Sequence, residues 1–561
     1  MTLLPEPREQ ALRPGSVTYS EPNVHSGADL PAQGYALTIT DSGIRLDAAD
    51  AAGEFYGRMT LRQLARLHPD RLPTGTIRDW PDLPERGVML DVSRDKVPTM
   101  ETLLALVDRL AEWKINHIEL YAEHTFAYAD HEVVWRDASP FTAAEIDALD
   151  AYCAARHIAL VPNQNSLGHM NRWLAHAEYA QLAMDPDGYV MMGMRYPPST
   201  IEPTHPGSLA LVRSLFAELL PHFSDRRFVN LGLDEPWEMP SERFDDYLAW
   251  VHTLRALPEL AGRTIVMWGD ILAPHADRLG ELPADVIVCE WGYDAGHPWS
   301  ERLEALARAA IPRWVAPGTS SWLTILGRTT NMRTDITEAI DAAVAHGATG
   351  MLNTDWGDNG HLQYPAVSDP GLAFGAAMSW CASTNRDLDL ADALSRHCYE
   401  DPSGELGSIV VGLGDVHLRL EPQMWNVSTL VLPLYFPQID VGRGPLKGAA
   451  ADQYEAVDAD LHAYEARLAG IRSTRPDADL IVAELRNAIA LVRVLSADAR
   501  ARLGVGGALA NVGATERAAL AEALRPVIAE HERLWLLRNR PGGLPDSRAW
   551  LERLLDHYGT G

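Results

Sequence analysis

The chain has 561 residues, with 48 Lys and Arg against 77 Asp and Glu, a formal charge of −29. That length allows about three or four ordinary domains, and fewer if one of them is a barrel of about 250 residues. With 47% hydrophobic and 22% charged residues the mixture is globular, which excludes extended disorder. The acidic total and the lack of a clustered basic face exclude nucleic acid as a partner, because counterion release needs such a face.

The four cysteines (Cys153, Cys289, Cys381, Cys398) lie far apart and form no C-x-x-C pair. This rules out a disulfide scaffold and a thiolate zinc site, and they read as small buried hydrophobes in a reducing compartment. The N-terminal stretch MTLLPEPREQALRPGS lacks a basic segment followed by an apolar core, so no signal peptide is expected. No window approaches the roughly 18 consecutive apolar residues of a membrane span. The expectation is a cytoplasmic protein with no membrane partner. There are 16 Trp but only 9 Phe, and flat indoles suit the faces of sugar rings.

In chain order, residues 34–50 (GYALTITDSGIRLDAAD) alternate apolar and polar around a turn at Asp41-Ser42-Gly43, the pattern of a β-hairpin. EFYGRMTLRQLARL then has helical spacing. Residues 1–84 therefore read as a small α+β domain closed by the Pro-rich linker IRDWPDLPE. From residue 85 to 385, apolar runs alternate with amphipathic helices. The runs are GVMLDV (87–92), HIELYA (117–122), IALVPN (158–163), FVNLGL (228–233), TIVMWG (264–269), VIVCEW (286–291), RWVAPG (313–318) and TGMLNT (349–354). Apolar runs joined by helices signal a parallel sheet buried on both faces, and eight of them give a (β/α)8 TIM barrel, an α/β fold. The fifth helix, near 272–280, is the weakest. Residues 386–561 read as mainly helical, with long helices at 451–473, 477–503 and 514–537 and an irregular connection at 433–448. These helices could shield the barrel or build a homodimer face.

In such a barrel the chemistry sits at the C-terminal ends of the strands. The runs deliver Asp91; Tyr121, Glu123 and His124; Asn163 and His169; Asp234, Glu235 and Trp237; Trp268 and Asp270; Glu290, Trp291 and Tyr293; Trp322; and Asp355, Trp356 and Asp358. Any one of these could be a cap or an ion pair, but together they are a ring of carboxylates interleaved with indoles. The adjacent Asp234 and Glu235 are the sharpest element. Two carboxylates in a dry pocket repel, so one should hold its proton to higher pH and suit general acid work. The other could stabilise positive charge. Breaking a glycosidic bond needs both functions. Two other readings use the same ring. His124, Asp234, Asp270 and Glu290 could hold a divalent metal, although the indoles do not suit such a site. A non-catalytic sugar-binding barrel would need the Trp residues and no acid beside them.

The stretch GYALTITDSGIRLDAADAAGEFYGRMTLRQL followed by IRDWPDLPERGVMLDVSR resembles the junction between small domain and barrel in glycoside hydrolase family 20, the β-N-acetylhexosaminidases. The resemblance runs from about residue 30 to about 385 and fades in the helical C-terminal region. It implies a retaining exo-acting enzyme that releases terminal non-reducing β-linked N-acetylglucosamine or N-acetylgalactosamine. The sugar's own 2-acetamido oxygen acts as nucleophile, giving an oxazolinium intermediate, one of the exceptions to the two-carboxylate scheme. It implies no cofactor, no metal, and a small oligosaccharide or glycoside as substrate.

By the same resemblance Glu235 is the acid/base, and Asp234 orients the acetamido group. His169 and Glu123 tune Glu235 from behind. Arg86 and Asp358 bind sugar hydroxyls, while Trp268, Trp291 and Trp356 wall the sugar and Asp270 lies among them. Departures from the family pattern are specific. His-x-Gly-Gly-Asp-Glu reads Asn-Leu-Gly-Leu-Asp-Glu at 230–235, and Asp-Asp-Gln reads Glu123-His124-Thr125. The Tyr expected after the seventh strand is replaced in GTSSWLTI, where Trp322 could take its place, with Tyr293 offering a hydroxyl from the neighbouring loop. These departures keep open a divergent member that hydrolyses another β-glycoside without acetamido assistance.

Overall fold

The computed structural model describes residues 2–191 and 193–559; Met1, Met192, Thr560 and Gly561, and with them the outer ends of the first and last expected segments, lie outside the described residues. Near the N-terminus, alternating side chains give a sheet with one buried face. Its strands are β1 (Glu9–Val17), β2 (Asn23–Ser26), β3 (Tyr35–Thr40), β4 (Gly43–Ala48) and β5 (Leu72–Asp79), in the order β1-β5-β3-β4-β2. The β3–β4 pair is the hairpin foreseen in the sequence. The helix Ala51–Leu67, capped by the Asp50 side chain, lays Tyr56, Leu61 and Leu64 onto Leu37, Ile39 and Leu46. Ile77, Arg78 and Asp79 belong to β5, so only Trp80 to Pro84 remain as linker.

The continuous apolar runs form eight parallel strands: β6 (Glu85–Asp91), β7 (His117–Tyr121), β8 (Ala159–Val161), β11 (Phe228–Asn230), β12 (Thr264–Trp268), β13 (Ile287–Trp291), β14 (Arg313–Ala316) and β15 (Gly350–Asp355). Between β8 and β11 a long connection carries a small hairpin, β9 (Tyr189–Met191) with β10 (Met194–Tyr196). The ring closes between β8 and β11 through an Asn163–Asn230 bridge. Both Asn side chains donate to Glu119 Oε2, at 2.7 and 2.8 Å, so one buried carboxylate stitches that seam. The weak fifth helix is a kinked run of 3-10 turns over Asp270–Glu281, broken at His275 beside Pro274. A helix at Phe244–Arg255, between β11 and β12, completes the outer ring.

The C-terminal helices include Ala451–Arg467, Ala478–Gly504, Ala514–Arg538 and Leu544–Gly559. The C-terminal region reaches the face where the strands end. Asp546 pairs with Arg172 at 2.8 Å, and the Asn426 amide donates to Asp294 at 2.8 Å, next to Tyr293.

Asp79 joins the small domain to the barrel. Its fully buried carboxylate accepts from the Tyr35 hydroxyl at 2.7 Å, Lys114 Nζ at 2.9 Å and the Trp380 indole at 2.8 Å. Lys114 is itself buried, and burial pushes its amine down from the usual lysine value. Removing the carboxylate would strand that ammonium in an apolar junction. Asp79→Ala is therefore expected to lower stability by about 3–5 kcal/mol, read as a lower urea midpoint with Lys114 left in place.

Candidate active site

The chain beyond β11 turns sharply. Gly232, Leu233 and Glu235 take φ of 70°, 72° and 46°, all in the left-handed region. For Leu233 and Glu235 this conformation costs about 1–3 kcal/mol each. It is held by the buried Leu233 side chain, by Tyr247, whose hydroxyl donates to the Leu233 carbonyl at 3.1 Å, and by the Trp268 amide, which donates to Gly232 at 3.1 Å. The turn presents Asp234 and Glu235 at the mouth of the barrel. The loop after β8 comes against them because Gly168 has no side chain: a Cβ there would lie 2.3 Å from the Asp234 carbonyl oxygen.

That approach delivers His169. Its Nε2 lies 3.2 Å from Asp234 Oδ2 and 3.5 Å from Glu235 Oε2. Burial opposes a charge on the imidazole, but Asp234 and then Glu235 outweigh it and raise the group to about 9. The two carboxylates thus favour its protonated form. Glu235 is raised from the usual carboxylate value, first by burial and further by Asp234, while His169 and Arg94 oppose the rise. Asp270 accepts the Glu235 backbone N–H at 3.1 Å and faces the Trp291 indole N–H at 3.4 Å. Burial, then Asp234, raises it to about 7.

Arg94 lies at the centre of the remaining charges. It is 3.1 Å from Asp91, 3.3 Å from Asp358 and 3.7 Å from Glu123, and its Nη2 is 3.4 Å from His169 Nδ1. Its guanidinium also lies over the rings of Tyr121 and Trp356, at 4.9 and 4.8 Å. Glu123 accepts from the Tyr121 hydroxyl at 3.0 Å. Burial raises both Glu123 and Asp358, and Arg94 opposes the rise in each.

Aromatic rings line the remaining walls. The Trp356 indole donates to the Tyr293 hydroxyl at 2.8 Å and lies 6.1 Å from Trp268. Trp291 stacks on Tyr293 at 5.1 Å, and Trp322 meets Tyr293 edge-on at 5.0 Å. The Tyr293 hydroxyl, raised mainly by burial, also feels the charges of Asp234 and Glu235. Asp234 Oδ1 and the indole nitrogens of Trp268 and Trp322 are buried without a hydrogen-bond partner. Asp234 Oδ1 belongs to the paired carboxylates themselves, and an unpaired buried acceptor there is what a polar ligand would satisfy.

Eleven of the candidates named from the sequence thus share one network of contacts: Asp234, Glu235, His169, Glu123, Asp270, Trp268, Trp291, Tyr293, Trp322, Trp356 and Asp358. Arg86 does not join them. It opens β6 at the opposite end of the barrel, fully buried, and donates to the carbonyls of Leu83, Pro84 and Lys114 and to the side chains of Gln33 and Tyr56. At about 3.3 Å per residue, the seven residues of β6 put its two ends roughly 20 Å apart. The arginine at the mouth is Arg94, three residues past Asp91. Its position after the end of β6, rather than at the start, was the available signal.

The metal reading fares differently from its expected ligand set. His124 is buried, and burial holds its imidazole down to about 3; Glu290 is taken up by His297 at 3.2 Å. Among the described residues the group with metal-ligand spacing is His169, Asp234 and Glu235, whose ligand atoms lie within 4.8 Å of one another. Both carboxylates favour the protonated form of His169, and a metal would have to displace that proton.

Two family descriptions match this chain: Glycosyl hydrolase family 20, domain 2, over residues 2–80, and Glycosyl hydrolase family 20, catalytic domain, over residues 84–296. A beta-hexosaminidase of Akkermansia muciniphila is 30% identical over 260 residues, 42% of this chain and 52% of that protein. A beta-N-acetylhexosaminidase of Cellulomonas fimi is 25% identical over 339 residues, 55% of this chain and 65% of that protein. The chain therefore spans about half to two thirds of the length of these curated relatives. Among solved structures, a beta-N-acetylhexosaminidase superposes with a TM-score of 0.55 at 22% identity, covering 68% of this chain and 90% of that one. The exo beta-N-acetylglucosaminidase of Vibrio harveyi, in complex with N-acetylglucosamine, gives 0.56 at 18% identity, covering 74% and 78%. At these identities the solved structures speak to the fold.

Proposed function

The chain belongs to glycoside hydrolase family 20, and we propose that it removes terminal β-linked N-acetylhexosamine from small oligosaccharides or glycosides by substrate-assisted catalysis. The observation that carries this reading is the division of labour at Asp234 and Glu235. Glu235 is raised by burial and by its neighbour, which suits a general acid at neutral pH. Asp234 keeps Oδ1 unpaired while His169 engages Oδ2, which leaves one carboxylate oxygen for an acetamido N–H.

In the first step Glu235 gives its proton to the glycosidic oxygen, and the C1–O bond breaks. The acetamido carbonyl oxygen attacks C1 from the opposite face. Asp234 holds the acetamido N–H and offsets the positive charge of the oxazolinium ring. Water then adds to C1 as the bond from C1 to the acetamido oxygen breaks and the acetamido group is restored; water's proton returns to Glu235 and the sugar leaves with its configuration retained. Tyr293 is suited to donate its hydroxyl to the acetamido oxygen, because it stands among Trp291, Trp322 and Trp356 while the β14 loop itself brings an indole, Trp322. Arg94 and Asp358 are suited to the sugar hydroxyls, and Trp268 and Trp356 to its faces. All four cysteines are free and buried, which supports a reducing, cytoplasmic setting.

A thiazoline mimic of the oxazoline is the test of acetamido assistance. Strong competitive inhibition is expected; no inhibition would leave the reading of another β-glycoside, cleaved without the acetamido group. Glu235→Gln is expected to lose about 10²–10⁴ in rate on substrates with poor leaving groups, measured as kcat/KM on an alkyl glycoside. Undiminished activity in that variant would remove Glu235 from the role of acid.

A further inference from the structure

Two residues past Glu235, Trp237 breaks the pattern of the other site indoles. Trp268 and Trp322 are almost fully buried and Trp356 nearly so, whereas Trp237 is 44% exposed. It does not stand alone. Its ring lies nearly parallel to that of Tyr189, at 15° and 6.0 Å, and Tyr189 lies nearly parallel to Tyr196, at 13° and 5.2 Å. The two tyrosines come from the facing strands β9 and β10, directly opposite each other. Three flat rings from two separate segments thus share one orientation, with the outermost open to solvent.

The segments that carry the platform are tied together by hydrogen bonds. Glu238, next to Trp237, accepts from the Ser199 backbone N–H at 2.5 Å and from the hydroxyls of Ser199 and Thr200. This ties the segment after Glu235 to the segment after β10. The same stretch is tied to the His169 loop, since the Met170 amide donates to the Ser199 carbonyl at 2.8 Å. Gly188 lets the base of the hairpin close, because a Cβ there would lie 2.0 Å from the Tyr196 carbonyl oxygen. A surface ordered before binding loses little entropy on binding.

Its place relative to the acid decides what it could hold. Glu235 must reach the oxygen between the departing group and the released sugar. The departing group therefore lies on the outward side of Glu235, whose side chain is 29% exposed. Trp237 follows Glu235 by two residues and is itself open to solvent, with Tyr189 behind it. An aromatic face carries partial negative charge and attracts the C–H bonds of a pyranose ring. Neither the acid–base chemistry nor the acetamido group makes use of such a platform.

Resting on the glycosidase reading above, we propose that Trp237, backed by Tyr189 and Tyr196, stacks on the first sugar of the leaving group. The site would then prefer a substrate whose cleaved sugar is linked to another pyranose over one linked to a small alcohol.

The test compares a β-linked N-acetylglucosamine disaccharide with the methyl β-glycoside of the same sugar, for the wild type and Trp237→Ala. Both substrates leave as alcohols, and only the first offers a second ring. In Trp237→Ala, kcat/KM on the disaccharide is expected to fall about tenfold, the equivalent of one aromatic stacking contact, while the methyl glycoside stays within about twofold. Trp237→Tyr should recover most of the loss, and the thiazoline should inhibit all variants equally. An equal fall on both substrates would reduce Trp237 to a structural support, and no fall on either would make the platform idle; both outcomes overturn the proposal. A wild type that is inert on both substrates and unaffected by the thiazoline would instead overturn the glycosidase reading on which the platform rests.

Discussion

Two adjacent carboxylates held in contact at a mostly buried barrel mouth constrain the rest of this structure. Placed there alone, Asp234 and Glu235 would repel each other with little water to screen them. The fold answers with two cations. His169 sits across both carboxylates, and Arg94 stands behind it among Asp91, Glu123 and Asp358. The charges then settle each other. The carboxylates keep the imidazole protonated, and the imidazolium limits how far burial can raise Glu235. A general acid needs a raised proton affinity from which the proton can still be released.

The scaffold pays for this placement with strain at the turn and with packing around it. Leu233 and Glu235 adopt backbone angles that suit glycine better, which aims both carboxylates at the same space. Gly168 lets the histidine loop touch that turn. Below, Glu119 closes the seam between β8 and β11, the two strands whose following loops carry His169 and the acidic pair. Asp79 fixes the small domain to the opposite end of the barrel, in the region where Arg86 is buried. The C-terminal helices approach the catalytic face, where Asp358 lies close enough to the buried Tyr435 hydroxyl to contribute to its raised pKa.

Much of this was legible in the sequence because it rests on local pattern. The eight apolar runs are strands because residues buried on both faces leave no polar alternation. Asp234 and Glu235 stood out because they are adjacent and end such a run. What was illegible depends on register and on distant contacts. Arg86 and Arg94 flank the same strand, and only its direction and length decide which one meets the carboxylates. Tyr293 lies in a different loop from Trp322, yet the two rings meet edge-on at 5.0 Å. Trp237 was visible as a residue beyond β11, but its stacking on Tyr189 and Tyr196 joins segments about forty residues apart.

The charge balance around the acidic pair can be measured without any substrate. Nitrogen chemical shifts of the His169 imidazole, followed by NMR against pH, report its protonation directly. The account predicts an imidazolium through neutral pH, titrating at about 9, and a clear downward shift in Asp234→Asn. A His169 that titrates at or below the ordinary value of about 6.5, unmoved by that substitution, would contradict it.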